Sequence, residues 1–482
     1  MKKFGVFMCS LALAGFVFTS CDDPNNGNKN DIDNLVEDSF YAVGEACPIK
    51  SVTADDAVKA QMAQGINEVD MNENNKTWDE SKRDGMYEKY IYLEAGKDFQ
   101  LVLKEGNQQT IYGAELAPVT LDGEGDQPKD VVVYKGKLAE NTKMQMKEAG
   151  LYHIVLDLNK DGALDLTGGA QIVIVPVKWG VSGGMNSWGL TDGAVEVKSA
   201  TEIVWTWKDL ELAANGDFKF KNQGWKIVLD DAGKVKAHLN LGADMKNGGD
   251  NIKVEKAGLY DITLTYTLSK GEIANNYKYE AKLTQESTLP TTMYMIGQDF
   301  GEWKWEDAGV VEMTPVHSHA GMFWCTRYIA NPANGFKFCA TKAWNGDFTG
   351  LTTNEGFEQK DNNCFVAEAG LYTMLVDLKE SKLTIYKAAV YGIGDAFGGW
   401  DEATYPFVVN EDGTATITAT AAGNLRMYSE VKDNTGNWWQ SEFNIYDGKI
   451  VYRAGGGDQE AVPVAAGAKV TLNFNAGTGV IE

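Results

Sequence analysis

The chain has 482 residues, of which 44% are hydrophobic and 23% charged, a composition typical of globular proteins rather than of disordered or membrane-spanning ones. A length of this order predicts three or four domains. The formal net charge of −24 argues against nucleic acid and polyanionic substrates, because the protein could not replace the counterions of a phosphate backbone. A neutral ligand, or none, is therefore expected.

The first 21 residues have the features of a bacterial lipoprotein signal peptide. Lys2 and Lys3 precede the apolar stretch 4–18, which is followed by two small residues and Cys21. This order predicts that Cys21 becomes the acylated first residue of the mature protein and anchors it to a membrane. The alternative is an ordinary signal peptide with a cysteine there by accident. Residues 22–39 are polar, and we interpret them as a flexible tether.

Beyond the tether, the sequence consists of short alternating runs separated by Gly, Asn and Asp. Examples are residues 150–156 (GLYHIVL) and 382–386 (KLTIY). Alternation with a period of two between turn residues predicts antiparallel strands. The expected fold is all-β, with tandem β-sandwich domains.

An Ala-Gly-Leu-Tyr tetrad repeats along the chain and divides it into four parts. The copies are Ala149–Tyr152, Ala257–Tyr260 and Ala369–Tyr372, with a weaker fourth copy at Ala466–Val470. Their spacing of about 100 residues predicts four tandem domains. We call these domains units 1 to 4, and their predicted boundaries are 40–176, 177–287, 288–387 and 388–482.

Units 2, 3 and 4 share two aromatic residues and one base in the same order. A Gly-rich loop ends in tryptophan, an alternating strand carries one Lys or Arg, and another tryptophan follows. The candidate binding residues are Trp188, Lys219 and Trp225 in unit 2, Trp303, Lys337 and Trp344 in unit 3, and Trp400, Arg426 and either Trp438 or Trp439 in unit 4. A base between two apolar strand residues faces away from the core, so we expect it to meet the loop tryptophans on the outer surface.

This trio has the chemistry of a sugar-binding site. Indole rings match the apolar faces of pyranose rings, and Lys or Arg donates hydrogen bonds to sugar oxygens. Unit 1 has Gln100 where the base should be and no tryptophan in its opening loop, so we interpret it as a spacer. Trp305 has no counterpart in the other loops and is not assigned to the site. Trp205, Trp207 and Trp324 lie in alternating runs and are expected in the core or on a sheet face.

Other chemistry is weakly indicated. The stretch Asp157–Asp165 resembles a calcium loop, but its Asn-Lys-Asp-Gly segment is also a good turn, and we assign no metal or cofactor. Cys325 and Cys339 are expected to be buried thiols, and a disulfide among Cys325, Cys339 and Cys364 is left open. No nucleophile or metal-ligand signature accompanies the histidines, so a non-enzymatic binding protein is expected. The alternatives are a surface glycoside hydrolase and a structural or protein-binding lipoprotein.

Several of these features together resemble one family, the SusE/SusF-type starch-binding outer-membrane lipoproteins of Bacteroides. They are Cys21 with the acidic residues Asp22 and Asp23 after it, a first unit without the trio, and three units with it. Three units that carry the trio resemble the SusF-like arrangement more than the SusE-like arrangement, which has two sites. The doubled tryptophan of unit 4 departs from the pattern and leaves open whether Trp438 or Trp439 stacks on the ligand.

The resemblance implies immunoglobulin-like β-sandwich modules that bind malto-oligosaccharides and starch at the cell surface. It also implies a lipid-anchored location in the outer membrane beside a SusC-like transporter and a SusD-like binding protein, with the three trios as the glycan sites. Related lipoproteins serve other glycans, so another neutral polysaccharide remains an alternative ligand.

Overall fold

The structure is a computed structural model that describes residues 36–66, 68–70, 78–79, 82–121, 130–158, 171–228, 235–432 and 437–482. Regular structure in these ranges consists of strands and short 3₁₀ helices, so the prediction of an all-β fold is confirmed. The 3₁₀ helices are Ala57–Ala60, Gly184–Asn186, Ile273–Asn276, Asp395–Phe397 and Trp438–Ser441. The described part of the chain contains no helix that could span a membrane. The signal peptide with Cys21, the tether up to residue 35 and residues 159–165 of the candidate calcium loop lie outside the described residues.

Unit 1 is a sandwich of two antiparallel sheets. In spatial order, the first sheet contains Ser39–Val43, Asp98–Glu105, Gln108–Gly113 and Ala139–Glu140, and Met144–Gln145 also pairs with Asp98–Glu105. The second contains Ala63–Ile66, Lys82–Leu93, Gly150–Asp157, Ile172–Pro176, Val131–Gly136 and Ala117–Leu121. Apolar side chains of both sheets, such as Leu101 and Ile154, form one buried cluster.

Unit 2 has the same two-layer arrangement, and two short strands of unit 1 extend one of its sheets. That sheet contains Thr191–Asp192, Trp179–Gly183, Asp217–Val228, Val235–Leu241, Glu68–Asp70 and Trp78–Asp79, with Ile252–Lys253 pairing with Asp217–Val228. The facing sheet contains Ala194–Ser199, Glu202–Leu212, Gly258–Thr267 and Tyr277–Glu286. Trp205 and Trp207 are buried between the layers, so of the two expected positions they occupy the core.

Unit 3 is again a two-sheet sandwich. One sheet contains Val311–Glu312, Tyr294–Gly297, Phe336–Cys339, Asn363–Phe365 and Glu358–Lys360. The other contains Thr314–Pro315, Met322–Ile329, Gly370–Asp377, Lys382–Lys387 and Thr353–Glu355, the last of these pairing in parallel. Trp324 is fully buried and so lies in the core rather than on a sheet face. All four described cysteines, Cys47, Cys325, Cys339 and Cys364, are buried free thiols without a disulfide.

Unit 4 forms one long sheet that folds around its own core. Its strands, in spatial order, are Tyr405–Pro406, Val390–Ile393, Arg426–Ser429, Glu442–Tyr446, Lys449–Tyr452, Thr478–Ile481, Lys469–Asn473, Ala415–Thr418 and Val408–Val409, and a separate ribbon pairs Gly423–Asn424 with Pro463–Val464. Val390 and Ala415, near opposite ends of the sheet, belong to the same buried cluster. The sheet therefore supplies both layers of this unit.

The repeated tetrad has a structural role at its tyrosine. The hydroxyls of Tyr152, Tyr260 and Tyr372 each donate a hydrogen bond to the backbone carbonyl four residues earlier, at 2.8, 2.8 and 2.9 Å. This is the tyrosine-corner arrangement known from immunoglobulin-like sandwiches. The fourth copy of the motif has Lys469 at the tyrosine position, which explains its weaker match.

The units associate in pairs through continuous cores. Tyr41 and Tyr90 of unit 1 lie in one buried cluster with Trp179 and Tyr277 of unit 2. Trp324 of unit 3 lies in one buried cluster with the core of unit 4, and its ring meets Tyr452 edge-on at 5.3 Å. Burial of this much apolar surface stabilises the pairs against separation. The domain boundaries drawn from the repeats remain predictions.

A charged side chain is buried where unit 1 meets unit 2. Lys89 has no solvent exposure, and its ammonium donates one hydrogen bond to the Ser269 carbonyl at 2.8 Å. Burial lowers the pKa of Lys89 from 10.5 to about 7. Between these two pH values the unfolded chain binds a proton that the folded chain does not, so stability increases as the pH rises from 7 towards 10.

Replacing Lys89 by methionine should therefore stabilise the protein near neutral pH. We expect Lys89→Met to raise the free energy of unfolding by roughly 1–3 kcal/mol at pH 7, because the buried cation is removed, with a smaller gain at pH 10. Calorimetric unfolding at both pH values measures the effect, with the exposed Lys59→Met as the matched control. A loss of stability at both pH values would show that the hydrogen bond outweighs the burial of charge.

Candidate functional site

The register between two neighbouring strands places the base at the same point in units 2, 3 and 4. In each unit the base lies directly opposite the residue that precedes the first glycine of the tryptophan loop. The pairs are Ser182 with Lys219, Ile296 with Lys337, and Ile393 with Arg426. A slip of one residue would turn each base to the other face of its sheet, so this register fixes the side on which the charge lies.

Unit 1 keeps the register without the charged group. Val43 precedes Gly44 and lies opposite Gln100. The strand pairing of the site is thus present in unit 1, with a neutral amide in place of the base. Its opening loop also carries no tryptophan. Unit 1 therefore has the framework of the site but not its aromatic walls.

In unit 2 the structure brings the two predicted tryptophans together and connects Lys219 to Trp225 through Asn240. The rings of Trp188 and Trp225 are 5.8 Å apart between centroids and inclined by 50°. The Lys219 ammonium donates to the Asn240 side-chain oxygen at 3.3 Å, and the Asn240 amide donates to the Trp225 backbone carbonyl at 2.9 Å. Lys221, which the sequence analysis missed, places its ammonium 4.5 Å from the centre of the Trp225 ring. Its position two residues after Lys219, on the same face of the strand, was the available signal.

In unit 3 the predicted trio is joined by a third indole. Trp303 and Trp344 have ring centroids 6.4 Å apart and are inclined by 33°, and Trp344 is 50% exposed. The ammonium of Lys337 lies 5.8 Å from the Trp344 ring and forms a 2.9 Å ion pair with Asp347. Trp305, which we did not assign to the site, lies closer to Trp344 than Trp303 does, at 5.1 Å. The sequence analysis left Trp305 out because a residue without counterparts in the repeats gives no signal in a repeat comparison.

In unit 4 the structure separates the two candidate tryptophans. Trp438 faces Trp400, with centroids 5.9 Å apart and a 46° inclination, and the Arg426 guanidinium lies 5.6 Å from the Trp438 ring. Trp439 lies instead against Arg453, at 4.9 Å, and is turned towards unit 3. Both residues belong to the 3₁₀ helix Trp438–Ser441. Trp400 is 51% exposed and forms the open wall.

Two carboxylates hold the arginines of unit 4. Glu442, with no side-chain exposure, accepts from Arg426 at 2.8 Å and from Arg453 at 2.9 Å. Asp458 accepts two hydrogen bonds from Arg426, both at 2.9 Å. The hydrogen bond to Asp458 raises the pKa of Arg426, and burial raises the pKa of Glu442 despite the neighbouring guanidinium groups. The guanidinium of Arg426 is therefore fixed in one orientation beside Trp438.

The loop tryptophans are held in unusual backbone conformations. Trp188 and Trp303 both have φ near 60°, in the left-handed region that bulky residues rarely occupy. Trp400 instead lies over Gly394, where an added Cβ would come within 3.2 Å of the indole. A left-handed conformation costs about 1–2 kcal/mol for a residue with a Cβ. The equivalent loops of units 2 and 3 both place their tryptophan in this unfavourable conformation. Backbone strain that recurs at one position motivates the hypothesis that the residue has a function.

The three arrangements share a geometry suited to a flat apolar ligand with polar edges. Each has two inclined indoles with centroids about 6 Å apart and a basic group beside one of them. The described residues contain no group of three or more His, Cys, Asp or Glu side chains that could hold a metal ion. The basic groups are held by amide, carbonyl or carboxylate partners, and these partners (Asn240, Asp347, Glu442 and Asp458) were not identifiable from the sequence because they lie outside the repeated motif.

The backbone strain at Trp303 allows a test of whether its indole stabilises the fold or is a surface group that the fold does not need. Asparagine tolerates the left-handed region, so Trp303→Asn should leave the free energy of unfolding unchanged or raise it by up to about 1 kcal/mol. The buried Trp324→Ala should lower it by about 3–5 kcal/mol. Denaturant unfolding of both variants provides the measurement. A loss at Trp303 comparable to that at Trp324 would make Trp303 a core residue.

A family model of SusF/SusE starch-specific carbohydrate-binding modules matches the chain twice, at residues 292–384 and 389–480. Among curated proteins, outer membrane protein SusF of Bacteroides thetaiotaomicron is 32% identical over 271 residues, which are 51% of this chain and 54% of that protein. The aligned stretch thus spans about half the length of the relative. The crystal structure of SusF from the same organism overlaps 83% of this chain and 96% of that chain, with 19% identity and a TM-score of 0.38.

The matched family is one of binding modules rather than of catalytic domains, which agrees with the expectation of a non-enzymatic protein. Both matches coincide with repeats in which two indoles and a base lie together. The two C-terminal repeats are therefore similar to SusF/SusE starch-specific carbohydrate-binding modules.

Proposed function

We propose that this protein is a non-catalytic, surface-exposed lipoprotein of the outer membrane that holds starch or malto-oligosaccharides through sites in units 2, 3 and 4. The observation that carries the proposal is the threefold recurrence of two inclined indoles and a base at one strand register. The family model that matches the last two units supports starch as the ligand. The name of the similar outer membrane protein supports the outer membrane as the location. A SusC- and SusD-like complex is the partner that the family resemblance implies.

In the proposed contacts, the indoles bind the apolar faces of the sugar and the basic group binds its oxygens. The two indoles of each site would stack on the C–H faces of adjacent glucose units, and their inclination of 33–50° suits a curved α-glucan better than a flat chain. The basic group would donate hydrogen bonds to ring and hydroxyl oxygens. The sites would be Trp188, Lys219 and Trp225 in unit 2, Trp303, Lys337 and Trp344 in unit 3, and Trp400, Arg426 and Trp438 in unit 4.

Weak individual sites and multivalent attachment fit this design. A millimolar dissociation constant corresponds to about −4 kcal/mol, which is reasonable for a shallow and partly exposed site. Linked sites that engage one polymer together can raise avidity by roughly 10²–10⁴. The negative net charge of −24 is compatible with this ligand because glucans are uncharged. The protein would thus retain a polymer at the surface without cutting it.

Removing the indoles of unit 3 should abolish one of three binding sites. We expect Trp303→Ala with Trp344→Ala to lower the stoichiometry for maltoheptaose from three to two in calorimetry of the whole chain. Lys337→Met, which keeps the alkyl stem, should weaken that site about fivefold, the factor supplied by one ordinary hydrogen bond.

Lys342→Met is the matched control for Lys337→Met, since Lys342 is exposed and contacts Tyr294 outside the site. An unchanged stoichiometry in the double tryptophan variant would refute the assignment of this site. Release of reducing sugar from starch by the unaltered chain would refute the non-catalytic part of the proposal.

The membrane anchor gives an independent prediction. Cys21→Ala should abolish incorporation of labelled palmitate and release the protein from the outer-membrane fraction, because position 21 no longer offers the thiol that would carry the lipid. Fractionation and protease treatment of intact cells measure the location. Retention in the membrane without the label would contradict the predicted anchor.

A further inference from the structure

The 3₁₀ helix that carries Trp438 rests on a turn of unit 3, residues 316–319. The Gln440 side-chain amide donates to the His317 carbonyl at 3.0 Å, and the His317 backbone N–H donates to the Gln440 carbonyl at 3.4 Å. Gln440 is fully buried. One helix of unit 4 is therefore tied to unit 3 by hydrogen bonds in both directions.

The imidazole of His317 continues this contact and is almost fully buried. Its Nδ1 accepts from the Ser318 hydroxyl at 2.8 Å, which leaves Nε2–H to donate to the Gly456 carbonyl of unit 4 at 3.1 Å. The ring also meets the Trp439 indole edge-on, with 4.8 Å between centroids and a 79° angle. Contacts from both unit 3 and unit 4 therefore fix the position of the His317 ring.

From Trp439 the contacts lead to the candidate glycan site. Arg453 also lies over Trp439, at 4.9 Å, and shares the carboxylates of Glu442 and Asp458 with Arg426. Trp438 directly precedes Trp439 in the same helix. Trp438 and Arg426 are thus both connected to the turn of unit 3, whereas Trp400 is positioned within unit 4 over Gly394.

We propose that the turn 316–319 of unit 3, acting through His317, positions the glycan-binding wall formed by Trp438 and Arg426 in unit 4. This inference rests on the proposed function of the unit 4 site. A binding site has to be held within about 0.5 Å of its productive geometry by neighbouring contacts, and here some of those contacts come from the preceding unit. Unit 3 would then serve two sites, its own and that of unit 4.

The test isolates the unit 4 site within the whole chain. In a parent carrying Trp188→Ala and Trp303→Ala, maltoheptaose binding to unit 4 is measured by calorimetry with and without His317→Ala. We expect the dissociation constant to rise about fivefold, as for the loss of one hydrogen bond. His317→Gln, whose amide can still donate to the Gly456 carbonyl, should restore it to within about twofold.

A matched control separates positioning from general destabilisation. In a second parent carrying Trp188→Ala and Trp400→Ala, the unit 3 site is the one measured, and His317→Ala should leave its affinity unchanged. Equal weakening at units 3 and 4, no weakening at unit 4, or no restoration by His317→Gln would each overturn the inference.

A readout without glycan keeps the inference separate from the proposed function. In a chain labelled with 5-fluorotryptophan, the fluorine resonance of Trp438, assigned by Trp438→Phe, should shift in His317→Ala and return in His317→Gln. The resonance of Trp303 should not move. If the first parent binds no maltoheptaose, the function proposed for unit 4 fails, and the fluorine shifts alone decide whether His317 positions Trp438.

Discussion

The pairing of each unit's opening strand with the strand that carries the base is the constraint on which the rest of the site depends. Side chains alternate between the two faces of a strand, so a shift of one residue would exchange the base with its buried phenylalanine neighbours in units 2 and 3. The tight backbone at the loop glycines follows from this pairing. At Gly183 and Gly297 an added Cβ would come within 2.7 Å of backbone or side-chain atoms of the base strand. The loop that leaves such a glycine therefore has a defined origin, and its tryptophan reaches the same side as the base.

Around this framework each unit completes its site differently. Unit 2 adds a second lysine beside Trp225, unit 3 adds Trp305 beside Trp344, and unit 4 replaces lysine by an arginine anchored to two carboxylates. A guanidinium held on both edges keeps its plane fixed, whereas an ammonium can rotate its three donors. The sites have a common plan, and these neighbours give them different shapes and rigidity. Their affinities for one glucan need not be equal.

The association of units in pairs bears on how the sites would act together. Trp324 and Leu375 of unit 3 are buried with Val390 and Phe443 of unit 4, so separating the two units would expose a hydrophobic core to water. Polar contacts reinforce this contact, including the hydrogen bonds between Thr326 and Ser429 at 2.9 Å and between Asn475 and Tyr328. Sites on such a pair keep a fixed relative orientation. Fixed orientation lowers the entropy lost when two sites engage one polymer, provided that the spacing matches the ligand.

The sequence by itself determined the all-β fold and predicted the candidate trios of units 2 and 3, because alternation and repetition are written along the chain. For Trp205, Trp207 and Trp324 it left the core and a sheet face as alternatives. It could not place Trp305, which no other unit repeats, or choose between Trp438 and Trp439, which are adjacent in sequence. Tertiary structure decided these points. Trp439 is turned towards unit 3 because His317 and Arg453 enclose it, and these residues are 122 and 14 positions away in the sequence. The partners of the bases, such as Asp347 and Glu442, were hidden for the same reason: contacts between side chains distant in sequence depend on packing, and no periodicity along the chain records them.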